Sequence, residues 1–208
     1  MSKSIETQNR IAEAALKLFN SKGTGEVTTH DIADACQLSP GNLYYHFKNK
    51  EEIVALLFSK IELFSVDKWK EAISKDENQG FYQFVNFFFS EIRKYRFFFR
   101  ELSELVRNDA HLARLWQKAH SSLLKSMQEA AGFWVEQGIL EPFDSQAEVT
   151  AFIDNHWIIM SFGASYFEST GKIASLKLEE KLSQQLYSFL RPYHTAKGRK
   201  LLDEYFNQ

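Results

Sequence analysis

The sequence predicts an all-α fold in which a small N-terminal three-helix module is followed by a larger helical domain. Three observations carry that prediction. Apolar residues recur at three- and four-residue spacing along nearly the whole chain, and no segment sustains a period-two pattern of β-branched residues. The three prolines, Pro40, Pro142 and Pro192, fall where helices can begin or turns can form. Aromatic content also changes abruptly. Of 19 Phe, 8 Tyr and 4 Trp, residues 1–60 hold only Phe19, Tyr44, Tyr45, Phe47 and Phe58, whereas residues 81–99 hold ten. Such a change of material places a boundary near the fourth helix. We expect one domain over residues 1–50 and a second over 51–208, with a fourth helix of about 50–74 connecting them.

The first helix runs from about Ile5 to Lys22 with the stripe Ile11, Ala15, Leu18 and Phe19, and Gly23 stops it. Thr28 and Asp31 have the spacing of a capping box, in which each residue satisfies a free amide of the other, so a second helix starts there and ends near Ala35 or Cys36. A short turn at Gln37-Leu38 follows. Ser39 is a favourable N-cap and Pro40 suits the first helical position, so a third helix reaches about Phe47. Asn49 caps the fourth, with Glu51 and Glu52 placed to favour the positive end of its dipole. Ile53, Leu56, Leu57, Ile61 and Phe64 carry that pattern toward Ser74, and 75–80 reads as a loop. Further helices are expected at about 81–94, 96–107, 110–138, 146–170, 177–191 and 197–206, punctuated by Gly138, Pro142, Gly171 and Pro192. The segment after Pro192 reads as an extension with no assigned place.

Composition excludes several classes. The net charge is −2, so bulk charge does not point to nucleic acid. The single cysteine, Cys36, allows no intrachain disulfide and suits a reducing compartment. Residues 1–8 are polar and lack the apolar centre of a signal peptide. The least polar run, Trp157 to Ser165, is far shorter than the roughly 20 apolar residues that cross a bilayer. We therefore expect a cytoplasmic chain with no membrane partner. Six histidines at 30, 46, 111, 120, 156 and 194 show no zinc-site spacing with cysteine, so no metal is expected. Without a glycine-rich phosphate loop or a nucleophile motif, neither an enzyme nor a cofactor is expected.

The segment TTHDIADACQLSPGNLYYHF, residues 28–47, is the most specific part of the chain. Two short helices joined by a tight turn need small or apolar inward positions, which Ile32, Ala33, Leu38, Leu43 and Phe47 supply. The outward side of the third helix then presents Ser39, Gly41, Asn42, Tyr44, Tyr45 and His46. These are hydrogen-bonding or flat groups on a helix short enough to enter a major groove, where Lys and Glu would be ordinary on a merely solvated face. Gly41 costs roughly 1 kcal/mol of helix stability relative to Ala, which close approach of DNA would explain.

At this point the chain resembles the DNA-binding domain of TetR-type repressors. The resemblance runs from Ile11 to Lys60 through AALKLF (14–19), Lys22-Gly23, TTHDIADA (28–35) and LSPGNLYYHFKNKEEI (38–53). GNLYYHF is especially similar to repressors that control multidrug efflux. The resemblance implies that Thr28 and Thr29 touch phosphates and that Ser39, Pro40, Gly41 and Asn42 enter the groove. It further implies that Tyr44, Tyr45 and His46 contact backbone or bases, and that Lys50 contacts a phosphate. Tyr44 also suits packing on the first helix, and His46 suits capping or packing. Residues 1–60 carry seven Lys or Arg and seven Asp or Glu, so DNA binding should depend only modestly on salt, through Lys48, Lys50 and the helix starts.

Beyond the matched segment the resemblance implies a homodimer and a small-molecule effector. The last two large helices of the family pair between subunits, which here points to Met160, Ala164, Phe167, Leu178, Leu182, Leu186 and Phe189. A dimer is independently suited to a palindromic double-stranded operator. Ser161, Gly163, Ala164 and Ser165 are small enough to let helices approach closely. Phe84, Phe88, Phe98, Trp116, Trp134, His156 and Trp157 are candidates to line an apolar effector cavity, and each also fits plain core. The scarcity of acids in 81–90 points to a hydrophobic or amphipathic effector over a dedicated cation site. The expected function is a transcriptional repressor released from its operator by that effector, with the fourth helix as the lever. The alternative is a helical ligand-binding or scaffold protein without sequence-specific DNA binding.

Overall fold

The computed structural model describes residues 3–73, 77–171 and 175–206. Its helices are α1 (Lys3–Lys22), α2 (Thr29–Ala35), α3 (Pro40–His46), α4 (Lys50–Ser59), α5 (Val66–Ile73), α6 (Glu77–Lys94), α7 (Arg96–Asn108), α8 (Ala110–Glu136), α9 (Gln146–Ser169), α10 (Ser175–Leu190) and α11 (Ala196–Phe206). Single 3-10 turns occupy Glu62–Phe64 and Arg191–Tyr193. Among the described residues the one β-type pairing is an isolated bridge between Leu140 and His194, so the all-α expectation holds. No described helix is long and apolar enough to cross a membrane.

The chain divides into two compact units, the first comprising residues 1–62 with 93–117, the second residues 63–92 with 118–208. This differs from the expected boundary at residue 50. The first unit recruits α7 because its short helices bury too little apolar surface alone. Phe97, Phe98, Phe99 and Leu102 of α7 are buried together with Ile11, Ala15, Phe19, Ile32, Leu43 and Leu57. Phe19 packs on Phe97 at 5.3 Å between ring centres, and Phe58 on Phe98 at 5.1 Å.

The helix starts in this unit are made by the predicted caps. Thr28 Oγ1 accepts from Asp31 N at 3.1 Å while Thr28 N donates to Asp31 Oδ2 at 2.8 Å. Ser39 Oγ accepts from Asn42 N at 3.2 Å, and Asn49 Oδ1 from Glu52 N at 3.0 Å. Between α2 and α3 the chain reverses at Gln37, which has φ 55. Leu38 N bonds Ala33 O and Gln37 N bonds Asp34 O, each at 2.9 Å, so the free carbonyls at the end of α2 are satisfied in a Schellman closure.

The fourth helix is shorter than expected. It ends at Ser59, and α5 begins separately at Val66. No glycine or proline marks this break. The Lys60 carbonyl instead accepts from the Tyr95 hydroxyl at 3.0 Å, while the Lys60 ammonium donates to Asn9 Oδ1 at 2.6 Å. These tertiary bonds replace the continuing helix ladder, so two helices stand where one was expected.

In the second unit α9 and α10 pack side by side. A Cβ on Gly163 would lie 2.6 Å from Leu182 Cδ2, so the small residue admits the leucine. Phe152, Phe189, Phe143 and Tyr193 stack into one aromatic group, with Phe152 and Tyr193 centres 4.8 Å apart. The segment after Pro192 is built into this unit. Glu141 N donates to Tyr193 O at 2.8 Å, and Thr195 N to Ile139 O at 3.0 Å. The Thr195 hydroxyl reaches Gly138 O at 2.6 Å, and Leu201 and Leu202 are buried.

Candidate nucleic-acid interface

Helix α3 separates cleanly into two faces. Leu43 is fully buried, and Phe47 just past the helix end is buried as well. Pro40, Gly41, Asn42, Tyr44 and Tyr45 are exposed, as is the N-cap Ser39. Tyr45 keeps 81% of its surface in solvent and Tyr44 51%. Two adjacent tyrosines this bare offer a flat, hydrogen-bonding surface to a partner outside the chain. Gly41 has nothing within 4 Å of where a Cβ would lie, and its φ is not positive. Neither packing nor backbone geometry within the protein therefore requires glycine there.

The helix-turn-helix is braced internally by two of the predicted residues. Tyr44 OH and Thr29 Oγ1 lie 2.9 Å apart, which links α3 to the first residue of α2. Tyr44 therefore joins the two helices directly, and it does so while still half in solvent. His46 is half-buried, its ring edge-on to Tyr45 at 5.1 Å. Thr28 is committed to capping: its hydroxyl donates to Asp31 Oδ2 at 2.6 Å and accepts from Asp31 N. Those Thr28 bonds, side chain first and backbone second, hold the Asp31 carboxyl below its ordinary range.

The two lysines behave differently. The Lys48 side chain is exposed, and its backbone N–H donates to Glu52 Oε2 at 2.8 Å. Lys50 is half-buried, and its ammonium donates to Val27 O at 2.9 Å and to Thr24 O. Sequence spacing alone could not reveal that engagement, because Thr24 lies 26 positions away.

The candidate effector residues do not all gather. In the second unit Phe88, His156 and Trp157 meet, with Phe88 at 5.6 Å from His156 and 6.3 Å from Trp157. Two residues that sequence reasoning missed join them: His120 at 5.8 Å and Phe64 at 6.4 Å from the Trp157 ring. Helical periodicity places His120 on α8, but it carries no signal for the approach of α9. Trp134 pairs with Phe133 at 4.9 Å, near the turn where Ile139 N bonds Trp134 O. Phe98 and Trp116 belong to the first unit, their rings 6.0 Å apart, and Phe98 is fully buried. The Phe84 side chain lies outside the described residues. Desolvation with nothing offsetting it pushes the His156 imidazole down to about 4. Burial also lowers His120, with the Asp154 charge opposing. Both rings are thus biased toward the neutral form. Among the described residues no cluster of His, Cys, Asp or Glu could hold a metal ion.

The candidate subunit-contact residues also divide. Met160, Leu178, Leu182 and Leu186 are buried within the chain itself, so its own packing accounts for their spacing. Ala164, Phe167 and Phe189 are half-buried. The large apolar side chains that α9 leaves in solvent are Ile158 and Tyr166, at 52% and 65% exposure.

Comparison with known proteins agrees with this geometry. The family model described as bacterial regulatory proteins, tetR family, matches residues 11–57. A second, described as bacterial transcriptional repressor, matches residues 66–202. The chain is similar to the HTH-type transcriptional regulator QacR of Staphylococcus aureus, 37% identical over 73 residues, which cover 35% of this chain and 37% of QacR. It is also similar to IcaR of Staphylococcus epidermidis, the HTH-type negative transcriptional regulator of the biofilm operon icaADBC, 25% identical over 89% of this chain and 98% of IcaR. Matches to the first curated relatives span 37%, 22% and 27% of those proteins' length. Among solved structures, a TetR-family transcriptional regulator from Marinobacter aquaeolei VT8 superposes with a TM-score of 0.80 at 25% identity, over 100% of this chain and 98% of that one.

Proposed function

Because this chain belongs to the TetR family of bacterial transcriptional regulators, we propose that it is a DNA-binding repressor. It acts as a homodimer on a palindromic operator and is released by a small hydrophobic or amphipathic effector. The observation that carries this reading is the outer face of α3, where two tyrosines stand in solvent beside a glycine that no neighbour within the chain requires. In this reading Asn42, Tyr45 and the Gly41 backbone meet base edges or the groove wall. Ser39, Pro40, Tyr44, His46 and Lys48 position the duplex, as do Thr28 and Thr29 at the start of α2. The two subunits present their α3 helices about 34 Å apart, one turn of DNA.

For the dimer we assign the contact to the solvent face of α9, with Ile158 and Tyr166 as its apolar anchors and half-buried Phe167 beside them. For the effector we assign the group of Phe64, Phe88, His120, His156 and Trp157. Its aromatic walls and neutral imidazoles suit an uncharged or weakly polar molecule that can accept or donate one hydrogen bond. The effector acts by binding better to a state that spaces the readers differently, which lowers the operator-bound population.

The test is fluorescence anisotropy on a palindromic duplex selected by the wild-type chain from randomised DNA. Asn42→Ala and Tyr45→Ala should each weaken specific binding about ten-fold or more, with the unfolding midpoint unchanged. A wild-type chain that enriches no palindrome would leave only a helical ligand-binding protein, and variants that bind as tightly as wild type would remove Asn42 and Tyr45 from the reading surface.

A further inference from the structure

The loop between α1 and α2 is gripped from two sides at one residue. Thr24 is buried, and its backbone N–H donates to both carboxylate oxygens of Glu101 on α7, at 3.0 and 3.1 Å. Its hydroxyl donates to Glu101 Oε2 as well. On the other side the Lys50 ammonium, at the first residue of α4, holds the Thr24 and Val27 carbonyls. Gly23 makes the approach of the carboxylate possible: its φ is +84, and a Cβ there would lie 2.8 Å from Glu101 Oε1. The end of α1 is fastened to the same corner, since Asn20 Nδ2 donates to Lys94 O at 2.8 Å and Asn20 Oδ1 accepts from Phe97 N at 3.0 Å.

The position of this grip matters more than its strength. Val27 is buried, and Thr28, the cap of α2, follows it directly. Thr29 then bonds Tyr44 of α3. A shift of the Thr24 loop is therefore passed to the start of α2 and across to the reading helix. Hydrogen bonds to ionised groups are short and roughly twice as strong as neutral ones, so this loop is held far more firmly than an ordinary glycine-flanked turn.

We propose that Glu101 and Lys50 are positioning residues for DNA binding. From opposite sides they hold Thr24 and so set the height and tilt of the α2–α3 pair, and the Lys50 ammonium works inside the protein and not on a phosphate. This rests on the DNA-binding reading above. It opposes simple electrostatics at Glu101. Removing a negative charge near a polyanion should tighten binding, whereas loss of the clasp should weaken it.

The full-length chain and the selected palindrome serve for the test, with affinities measured from 50 to 300 mM KCl and scaled to the active fraction by stoichiometric titration. Glu101→Gln should weaken binding by roughly ten-fold. Lys50→Met should weaken it similarly while the slope of log K against log salt stays within about 0.3 of wild type. A phosphate-contacting lysine would instead reduce that slope by about 1.8, since the dimer would lose one such contact in each subunit. Thr24→Val removes only the hydroxyl and should cost about three-fold. Combined with Glu101→Gln it should add less than its single effect, because both changes act on the same hydroxyl–carboxylate bond. If Lys50→Met does not fold, Glu101→Gln and Thr24→Val carry the test. A slope reduced by about 1.8 in Lys50→Met, or unchanged or tighter binding by Glu101→Gln, overturns the clasp while DNA binding stands. A wild-type chain that binds no palindrome overturns both.

Discussion

Gly41→Ala separates folding from function at a single methyl group. Glycine in a helix is less favourable than alanine by about 0.8–1.0 kcal/mol, because it loses more backbone freedom on ordering. At position 41 nothing lies within 4 Å of the added Cβ, and the residue's φ is not positive, so no clash or strain offsets that gain. Gly41→Ala should therefore stabilise the free protein by up to about 1 kcal/mol, a rise of about 2–4 °C in Tm for a chain of this size. In the complex the methyl sits at the outer face, between Pro40 and Asn42, where the duplex approaches. There it must displace the DNA or the helix, and a loss of ten-fold in affinity, about 1.4 kcal/mol, is expected. The assays are thermal unfolding without DNA and anisotropy with it. Gly132→Ala on α8, which also has open space around the added carbon, is the control: it should gain stability without losing affinity. If Gly41→Ala binds the operator as tightly as wild type while Tm rises, the glycine is not there for the groove, and the docking of α3 inferred above is wrong.

Gly198→Ala should do the opposite of what helix propensity suggests. A Cβ there would lie 2.1 Å from Ile139 O and 2.9 Å from the His194 ring, so a denaturant titration should show a loss of about 1–3 kcal/mol where propensity alone predicts a gain. Gln37→Gly relieves a left-handed residue in the α2–α3 turn and should raise the urea midpoint by up to about 1 kcal/mol equivalent, with DNA affinity kept. The His156 imidazole titrates near 4 in the fold against about 6.5 unfolded, so the unfolded chain binds the extra proton between those values. Its contribution is present above pH 6.5 and is lost as pH falls toward 4. The stability difference between pH 7 and pH 5 should accordingly shrink by about 1–2 kcal/mol in His156→Phe, and an unchanged difference would place His156 in water.

Most of the helices were legible in the sequence because their signals are local. The capping pairs Thr28 with Asp31, Ser39 with Asn42 and Asn49 with Glu52 act over three residues, and each forms as spaced. The exposed face of α3 was legible for the same reason, since Leu43 and Phe47 leave the intervening side chains outward. The end of α4 was not. The Tyr95 hydroxyl that takes the Lys60 carbonyl lies 35 positions away, and no residue near Ser59 announces it. The stripe of Met160, Leu178, Leu182 and Leu186 showed that these side chains are buried but not by what, because periodicity is blind to whether the covering surface belongs to the same chain.

Local signals in the sequence mark most helical segments, most helix starts, and a helix-turn-helix over residues 28–47 with a polar, glycine-notched outer side, whereas residues 77–80, read as loop, open α6. Long-range packing set the inward turn of Lys50 to the Thr24 loop, the place of α7 in the first unit, and the closure of the segment after Pro192 on the α8–α9 turn. It also decided that His120 joins His156 and Trp157. The physical reason is range. Caps, turns and helical stripes are set by neighbours within about four positions, whereas the partners of a charged or aromatic side chain are chosen by whichever distant segment excludes water from it.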